Sequence, residues 1–155
     1  MPCHAAMTDK LLSILPDDNI GTTLVAFKKA KIDLAPVVDE AGVAVGVLSL
    51  KAILENLLPV SVTTNDGIQL DIRVGAAPGI AKRLKKVELM KAGDLMDRKF
   101  AFVYPETPLW EGVNLLVRNG GGSLLVVEPK SGKALGVITT QSALDELARL
   151  KDSES

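Results

Sequence analysis

The strongest constraint in this sequence is an internal repeat. Sliding the chain by 89 positions aligns Met7–Lys10 with Met96–Lys99, and Val37–Asp39 with Val126–Glu128. With one residue inserted in a turn, further pairs come into line: Gly42 with Gly132, Gly46–Val47 with Gly136–Val137, Leu54 with Leu144, and Leu57 with Leu147. Two stretches that match in the same order indicate two copies of one structural unit.

Each copy has the same predicted order of elements: strand, helix, strand, strand, helix. A short extended piece ends at Pro16 or Pro105, and the turn residues Asp17–Asp18 or Glu106–Thr107 then offer a helix N-cap. The apolar residues of the following helix are spaced by three and four positions, which indicates one buried stripe. They are Ile20, Leu24 and Phe27 in the first copy, and Leu109, Val113, Leu116 and Val117 in the second.

Two valine-rich runs follow this helix, and a glycine-containing turn separates them, which predicts a β-hairpin. The runs are Ala35–Asp39 and Val43–Leu48 in the first copy, and Leu124–Glu128 and Ala134–Thr139 in the second. A closing helix carries apolar residues at Ile53, Leu54, Leu57 and Leu58, matched by Ala143, Leu144, Leu147 and Ala148. Because one copy buries too little apolar surface by itself, we expect the two copies to pack together.

The chain therefore divides into a first repeat at 3–58, an inter-repeat insert at 59–91, a second repeat at 92–150 and a polar tail at 151–155. Within the insert, Thr64–Gly67 is a strong turn signal and predicts a small hairpin. A helix is predicted after Pro78, with Ile80, Leu84 and Val87 on one face and basic residues on the other.

Composition and charge exclude several classes of function. The formal net charge is −1, so the chain as a whole is not expected to bind nucleic acid or an anionic membrane. The basic run Lys82–Lys86 has no interleaved aromatic residues and is interpreted as a solvated helix face. A lone cysteine, no signal-like start, and apolar runs far shorter than about 18 residues together predict a cytoplasmic protein.

No catalytic or metal-binding constellation is evident. Cys3 is the only cysteine and His4 the only histidine, and both fall in a terminus that we expect to be mobile. A nucleophile needs a positioned base, and zinc needs several ligands at defined spacing. The sequence therefore predicts neither an enzyme nor a metal site.

The motifs of the repeat resemble the CBS domain, and the pair resembles the tandem arrangement called a Bateman module. The residues that carry the resemblance are Asp94–Met96, Pro105–Leu109, Leu124–Glu128 and Gly136–Thr139, with Ala35–Asp39 and Gly46–Ser49 in the first copy. The resemblance implies an α/β (α+β) fold in which two βαββα repeats form a pseudo-twofold pair with a cleft on either side. It also implies adenosine-containing ligands in these clefts, flat dimers, and regulation rather than catalysis.

The family's ligand motif places a Ser or Thr after the second hairpin strand and an Asp three residues later. Ser49 and Thr139 match the hydroxyl position, but Ala52 and Ser142 replace the carboxylate that would accept both ribose hydroxyls. Leu34 and Ser123 stand where family members often carry Arg or His toward a phosphate. Loss of two charge-assisted contacts, at about 1.5–3 kcal/mol each, weakens binding by a hundredfold or more. Capping of the following helices is an equally good explanation of the two hydroxyl residues.

The cleft with Thr139 is the better candidate of the two. Thr139, Thr140, Gln141 and Ser142 form a polar run, and Lys133, Arg98 and Lys99 are candidates for nearby positive charge. The other cleft offers only Ser49 and Lys51. Gly120–Gly122 follows a helix and precedes a strand, the reverse of the phosphate-loop order, so it is interpreted as a helix C-cap and turn.

From these features we expect a stand-alone regulatory module that senses AMP, ADP, ATP or S-adenosylmethionine between its repeats. No cofactor is required, and the expected partners are a second copy in a homodimer and a regulated protein acting in trans. The alternative is a degenerate pair whose clefts bind nothing and which serves dimerisation or protein interaction.

Overall fold

The computed structural model describes residues 1–8, 11–58, 76–119 and 122–154. In chain order the elements are a 3-10 helix at Cys3–Ala6, α1 at Ile20–Ala30, β1 at Leu34–Val38, β2 at Ala44–Ser49, α2 at Leu50–Glu55, α3 at Ala76–Glu88, α4 at Ala92–Leu95, β3 at Phe102–Val103, α5 at Leu109–Arg118, β4 at Ser123–Val127, β5 at Ala134–Thr139 and α6 at Thr140–Glu154. The predicted helix of the insert is present as α3. The hairpin predicted at Thr64–Gly67 lies outside the described residues.

Both predicted hairpins are confirmed, and they are equivalent in detail. In β1–β2, Leu34 pairs with Ser49; in β4–β5, Ser123 pairs with Thr139. Each hairpin also has an irregularity at the same place, between its last two paired residues on the first strand. The opening strands differ. β3 runs parallel to β4, whereas the described residues of the first repeat show a single parallel bridge, between Ile14 and Val37.

The segment that leads into each repeat packs against the other repeat. The backbone N–H of Cys3 donates to Thr107 at 2.7 Å, and the N–H of Thr8 donates to Val137 at 2.7 Å. The corresponding segment of the second repeat pairs with the first, where the N–H of Val47 donates to Asp97 at 3.0 Å. This exchange ties the two repeats together through backbone hydrogen bonds as well as side-chain packing.

The N-terminus is therefore anchored, and the expectation that Cys3 lies in a mobile terminus is wrong. Cys3 is fully buried in a cluster that includes Val103, Leu109 and Leu124. The absence of a side chain on Gly112 makes room for it, since a Cβ there would lie 2.9 Å from the Cys3 sulfur. A small apolar residue thus fixes the chain terminus in the core of the second repeat.

Three apolar clusters build the interior. One lies in each repeat, between the helices and the sheet, and includes Phe27 in the first repeat and Leu116 in the second. The third lies between the two sheets and contains Val47, Leu125 and Val137 from β2, β4 and β5. Since this third cluster draws on both hairpins, the two repeats share a core at the inter-repeat interface.

The buried stripes predicted for α1 and α5 are confirmed with one exception. Ile20 and Phe27 are buried on α1, as are Leu109 and Leu116 on α5, but Val117 is 71% exposed, so its predicted burial is wrong. On α2 and α6 only Ile53 and Ala143 are buried, because a helix lying on one side of a sheet turns only one narrow stripe toward it.

The N-cap of α1 is Asn19, which follows the predicted turn residues directly. None of the helices in the described part of the chain combines the length and apolar character needed to span a bilayer.

Candidate functional site

Two clefts open at the inter-repeat interface. The larger, which we call the Ser49 cleft, has a volume of about 730 Å³. Its walls come from both repeats, and its hydroxyl and charged residues are Ser49, Lys51, Glu55, Asp33, Asp97, Lys99, Arg118 and Ser123. The smaller, the Thr139 cleft, has a volume of about 470 Å³, and its polar lining includes Lys31, Asp33, Ser123, Thr139, Thr140 and Gln141.

Ser49 lies where β2 ends and α2 begins. Its Oγ accepts a hydrogen bond from the backbone N–H of Ala52 at 3.1 Å, so it is the N-cap of α2. A hydroxyl that accepts in this way retains its own proton, which can be donated to a ligand oxygen. Helix capping and ligand binding are therefore compatible at Ser49.

The Ser49 cleft contains three basic and three acidic side chains, so its lining has no net charge. Lys51 is paired with Glu55 at 3.9 Å, one turn along α2. Within the described residues, Lys99 and Arg118 form no ion pair with a carboxylate. These two cations are therefore available to an anionic group in the cleft.

Two carboxylates enter the Ser49 cleft from positions that the motif reasoning missed. Asp33 directly precedes β1, and Asp97 follows α4 and pairs with β2 through its backbone. The Oδ1 of Asp97 accepts from the N–H of Lys99 at 2.9 Å, which leaves the second oxygen available. The ligand motif searches for a carboxylate three residues after the hydroxyl, whereas here the carboxylates come from other elements. The 89-residue shift aligns Asp97 with Thr8, and this pairing does not indicate that Asp97 lines the Ser49 cleft.

Asp33 also forms the boundary between the two clefts. The hydroxyl of Ser123, the first residue of β4, donates to Asp33 Oδ1 at 2.9 Å, and both residues line both clefts. The repeat alignment contains a signal for this contact, because it pairs Asp33 with Gly122 and Leu34 with Ser123. Residues at equivalent positions next to a pseudo-twofold axis lie close together.

The hydroxyl groups of the Thr139 cleft are largely engaged with each other. Thr139 Oγ1 accepts from the N–H of Ser142 at 2.9 Å, and Ser142 Oγ accepts from the N–H of Thr139 at 2.9 Å. Thr140 Oγ1 accepts from the N–H of Gly122 at 3.2 Å. The Gln141 amide donates to Asp145 at 2.7 Å. This polar run therefore stabilises the start of α6, and one lysine, Lys31, lines the cleft.

The structure places the candidate residues in different surroundings from those expected. Ser49, Lys51 and Lys99 line one cleft, so Lys99, a candidate for positive charge near Thr139, lies in the other cleft. The exchanged leading segment explains this, because residues after Met96 pair with the first repeat. Arg98 is exposed and lines neither cleft, and the backbone of Lys133 pairs with Val43 at the hairpin tips. Gly122 has a positive φ of 96°, which suits a turn, while Gly120 and Gly121 lie outside the described residues.

Comparison with solved structures finds proteins of similar fold. The CBS-pair protein CBSX2 from Arabidopsis thaliana is 22% identical, with a TM-score of 0.74, and the match covers 97% of this chain and 96% of that one. A structure of CBSX2 in complex with AMP matches with a TM-score of 0.72 at 22% identity, over 97% of this chain and 98% of that one. A CBS domain-containing protein of Bacillus anthracis matches with a TM-score of 0.73 at 16% identity, over 96% and 94% of the two chains. These likenesses show the fold.

Sequence comparison assigns the family. An uncharacterized protein of Methanocaldococcus jannaschii is 25% identical over 146 residues, covering 89% of this chain and 86% of that protein. The family model described as "CBS domain" matches residues 4–66 and 92–149. These two matches fall on the two repeats and together span more than half of the sequence. The chain therefore belongs to the CBS domain family, and it is a tandem CBS protein.

Proposed function

We propose that this chain is a regulatory CBS pair that senses an adenosine-containing ligand bound in the Ser49 cleft. The observation that carries the proposal is the lining of that cleft. There the Ser49 hydroxyl, two cations that have no carboxylate partner among the described residues, and two carboxylates converge at the inter-repeat interface. The volume of about 730 Å³ falls within the range typical of small-molecule sites. CBS-pair proteins are generally regulatory modules, and the relative CBSX2 is known in complex with AMP.

Each part of such a ligand has a matching group in the cleft. Lys99 and Arg118 suit a phosphate, toward which Ser49 can donate its hydroxyl proton. The uncommitted oxygen of Asp97 suits the ribose hydroxyls, which donate hydrogen bonds to a carboxylate. The apolar side chains of Leu34, Val47 and Ala101 suit a base. Because acidic and basic residues balance in this lining, we expect AMP and S-adenosylmethionine to bind more tightly than ATP.

The ligand would act by favouring one packing of the repeats. Ser49 and Lys51 belong to the first repeat, whereas Arg118 and Ser123 belong to the second. A ligand that contacts both sides stabilises the arrangement that it fits, and it shifts the population in proportion to that preference. A regulated protein acting in trans, or a second copy of this chain, would then detect the altered arrangement.

The choice of the Ser49 cleft over the Thr139 cleft rests on charge and hydrogen bonding. The Thr139 cleft is smaller, its cation is Lys31, and Thr139 and Ser142 are bonded to each other. A ligand there would have to replace contacts that already hold the start of α6. Ser49 has no such reciprocal partner in its cap.

A thermal-shift series tests the proposal. AMP, ADP, ATP and S-adenosylmethionine are added up to millimolar concentration to the unmodified chain and to Ser49→Ala, Lys99→Ala, Arg118→Ala and Thr139→Ala. We expect the melting temperature to rise with the logarithm of ligand concentration above the dissociation constant. The Lys99 and Arg118 substitutions should abolish most of the shift, and Lys133→Ala, at a hairpin tip, is the matched control. No shift with any of the four ligands would contradict the proposal.

The alternative function is a pair with empty clefts that serves protein interaction. The observation that favours it is the loss of the family's polar residues at Leu34 and Ala52, together with the negative charge of Asp33 in both clefts. Association between copies that is the same with and without these ligands, combined with an unchanged melting temperature, would support this alternative.

A further inference from the structure

A surface groove lies between α1 and the insert helix α3. Thr22 and Val25 of α1 line one side, Lys85 and Glu88 of α3 line the other, and Leu89 lies directly after α3. The volume of the groove is about 580 Å³. In the described part of the chain, the second repeat has no helix equivalent to α3. The groove is therefore a feature of the first repeat, outside both inter-repeat clefts.

The two sides of the groove are held firmly in place. The N–H of Ile20 donates to the backbone oxygen of Met90 at 2.9 Å, which fixes the start of α1 to the end of α3. Gly21 permits this approach, since a Cβ there would lie 3.4 Å from the Glu88 Cβ. Val87 of α3 is fully buried in the core of the first repeat. A preformed groove binds a partner without the cost of ordering its own walls.

Two large aliphatic side chains of this groove lie in solvent. Val25 is 55% exposed and Leu89 is 79% exposed, and both belong to the lining of the same groove. Their burial by a partner would remove apolar surface from water, which is favourable. The groove therefore offers two apolar anchor points, one beside each helix.

Five lysines flank the groove within one helical turn of its lining residues. They are Lys28 and Lys29 on α1, and Lys82, Lys85 and Lys86 on α3, and all five are exposed. Within the described residues none of them forms an ion pair with a carboxylate. α1 contains no acidic residue, and α3 contains one, Glu88. Like charges three and four positions apart on a helix repel each other, and an anionic partner would relieve this repulsion.

We propose that this groove, which we call the basic groove, is a docking site for an acidic amphipathic helix of a partner protein. The apolar face of that helix packs on Val25 and Leu89, and its carboxylates meet the lysines of both sides. Two packed helices accept a third through the same fit of ridges into grooves that packs them together. The proposal gives the chemistry of the protein partner that the proposed function leaves open, and it does not require a ligand in the Ser49 cleft.

The lining favours a protein helix over other polyanions. Single-stranded nucleic acid is bound by stacking on aromatic side chains, and none of the described residues that line the groove is aromatic. A lipid surface meets a single amphipathic helix lying in its plane, whereas here the apolar side chains lie in a groove between two helices. A purely phosphate-bearing partner would also leave Val25 and Leu89 in water.

Peptide binding tests the proposal. A fluorescent synthetic peptide of about 15 residues, enough for about four helical turns, carries leucines spaced by three and four positions and glutamates elsewhere. Its binding to the full chain is measured by fluorescence anisotropy without nucleotide. Lys29→Glu combined with Lys85→Glu reverses one charge on each side of the groove, and Leu89→Ala removes an apolar anchor. A peptide of the same composition in scrambled order has no apolar face.

Matched control variants lie on other surfaces. Lys130→Glu combined with Lys151→Glu changes the net charge equally at two exposed positions outside the groove. Leu144→Ala shortens a leucine of α6 that is 56% exposed. The melting temperature of every variant is compared with that of the unmodified chain, so that loss of folding is separated from loss of binding.

The charge reversal should weaken peptide binding at least about tenfold, and Leu89→Ala at least about threefold. The control variants should bind as the unmodified chain does, and added salt should weaken binding because it screens the lysines. The scrambled peptide should bind at least about fivefold more weakly, since it loses the apolar contacts.

No binding at about 1 mM peptide would overturn the proposal. So would equal binding of the scrambled peptide, or tighter binding of a duplex DNA or of phosphatidylserine vesicles. Peptide affinity that falls as the concentration of the chain rises would show that a second copy occupies the groove, and it would overturn the proposal as well. Because no nucleotide is present, these outcomes are separate from the thermal-shift test of the Ser49 cleft.

Discussion

The hydroxyl of Ser123 donates a 2.9 Å hydrogen bond to Oδ1 of Asp33, and this contact joins the second repeat to the first. It lies between the two clefts, so a change at either residue reaches both. Asp33 directly precedes β1, and Ser123 is the first residue of β4. The helix that follows each hairpin is also hydrogen-bonded to this region at its first residue. The N–H of Leu50 donates to the backbone oxygen of Asp33, and the N–H of Thr140 donates to the backbone oxygen of Gly122. The inter-repeat interface is therefore coupled to the N-termini of α2 and α6.

Asp33→Asn should strengthen the binding of AMP. The amide oxygen can still accept from Ser123, but the negative charge that faces the clefts is removed. Two unit charges a few ångströms apart near a protein surface interact by about 1 kcal/mol or more, which corresponds to about fivefold in affinity. Isothermal titration calorimetry measures the change, with Glu40→Gln in the exposed turn as the charge-matched control. Weaker binding would show instead that Asp33 accepts a hydrogen bond from the ligand.

Gly136→Ala should destabilise the fold by about 1–3 kcal/mol, because a Cβ there would lie 2.5 Å from the backbone oxygen of Thr8 and 2.7 Å from the Met7 side chain. These contacts belong to the exchanged leading segment, so the variant reports on the exchange itself. Urea unfolding at neutral pH gives the free energy of unfolding.

Gly79→Ala is the control for this substitution, since a Cβ at Gly79 meets nothing within 4 Å and the residue lies inside α3. It should stabilise the chain by about 0.5–1 kcal/mol through helix propensity. Equal effects of the two substitutions would contradict the close approach of Thr8 to β5.

The repeat and its elements could be predicted from the sequence because local pattern determines them. The hairpins follow from valine-rich runs and glycine turns, and α1 and α5 follow from one apolar stripe each. The exchange of leading segments could not be predicted, since nothing in residues 2–8 distinguishes packing on one repeat from packing on its twin. For the same reason the cleft that Lys99 lines could not be predicted, and Asp97 was missed. Asp33 was missed although the repeat alignment pairs it with Gly122, the residue before Ser123. Long-range pairing decides which side chains share a cleft, and local pattern does not encode it.

Glu128 should titrate below the ordinary range of glutamate. The hydroxyl of Ser131 and the backbone N–H groups of Lys130 and Ser131 donate to its carboxylate, and they hold the pKa of Glu128 below its usual value. The charged form is thus favoured in the folded chain. Any stabilisation from this group is present at neutral pH and is lost as the pH falls through the folded-state pKa.

Nuclear magnetic resonance titration of the Glu128 side chain measures this pKa directly. Ser131→Ala should raise it, because the largest contribution comes from the Ser131 hydroxyl. Lys133→Ala removes only a more distant charge and should raise it less. An equal rise in both variants would mean that charge attraction, and not the hydrogen-bonded turn, controls the carboxylate.

Cys3 gives the fold a dependence on alkaline pH. Burial raises the pKa of the Cys3 thiol, so the folded chain holds this proton more tightly than the unfolded chain does. An unfolded thiol ionises near pH 8.5. The contribution of Cys3 to stability is therefore complete below that pH and declines as the pH rises from there through the folded-state pKa. Urea unfolding under reducing conditions at pH 7 and pH 9.5 should show lower stability at the higher pH.

Cys3→Ala should reduce this decline, because alanine has no proton to lose, even though the smaller side chain lowers stability at both pH values. Thiol labelling provides a second readout. Native Cys3 should react with a maleimide more than about tenfold more slowly than the urea-unfolded chain, since reaction requires the first residues to leave the second repeat. Fast labelling of the native chain, or an unchanged pH dependence in Cys3→Ala, would show that the leading segment is not held in the core of the second repeat.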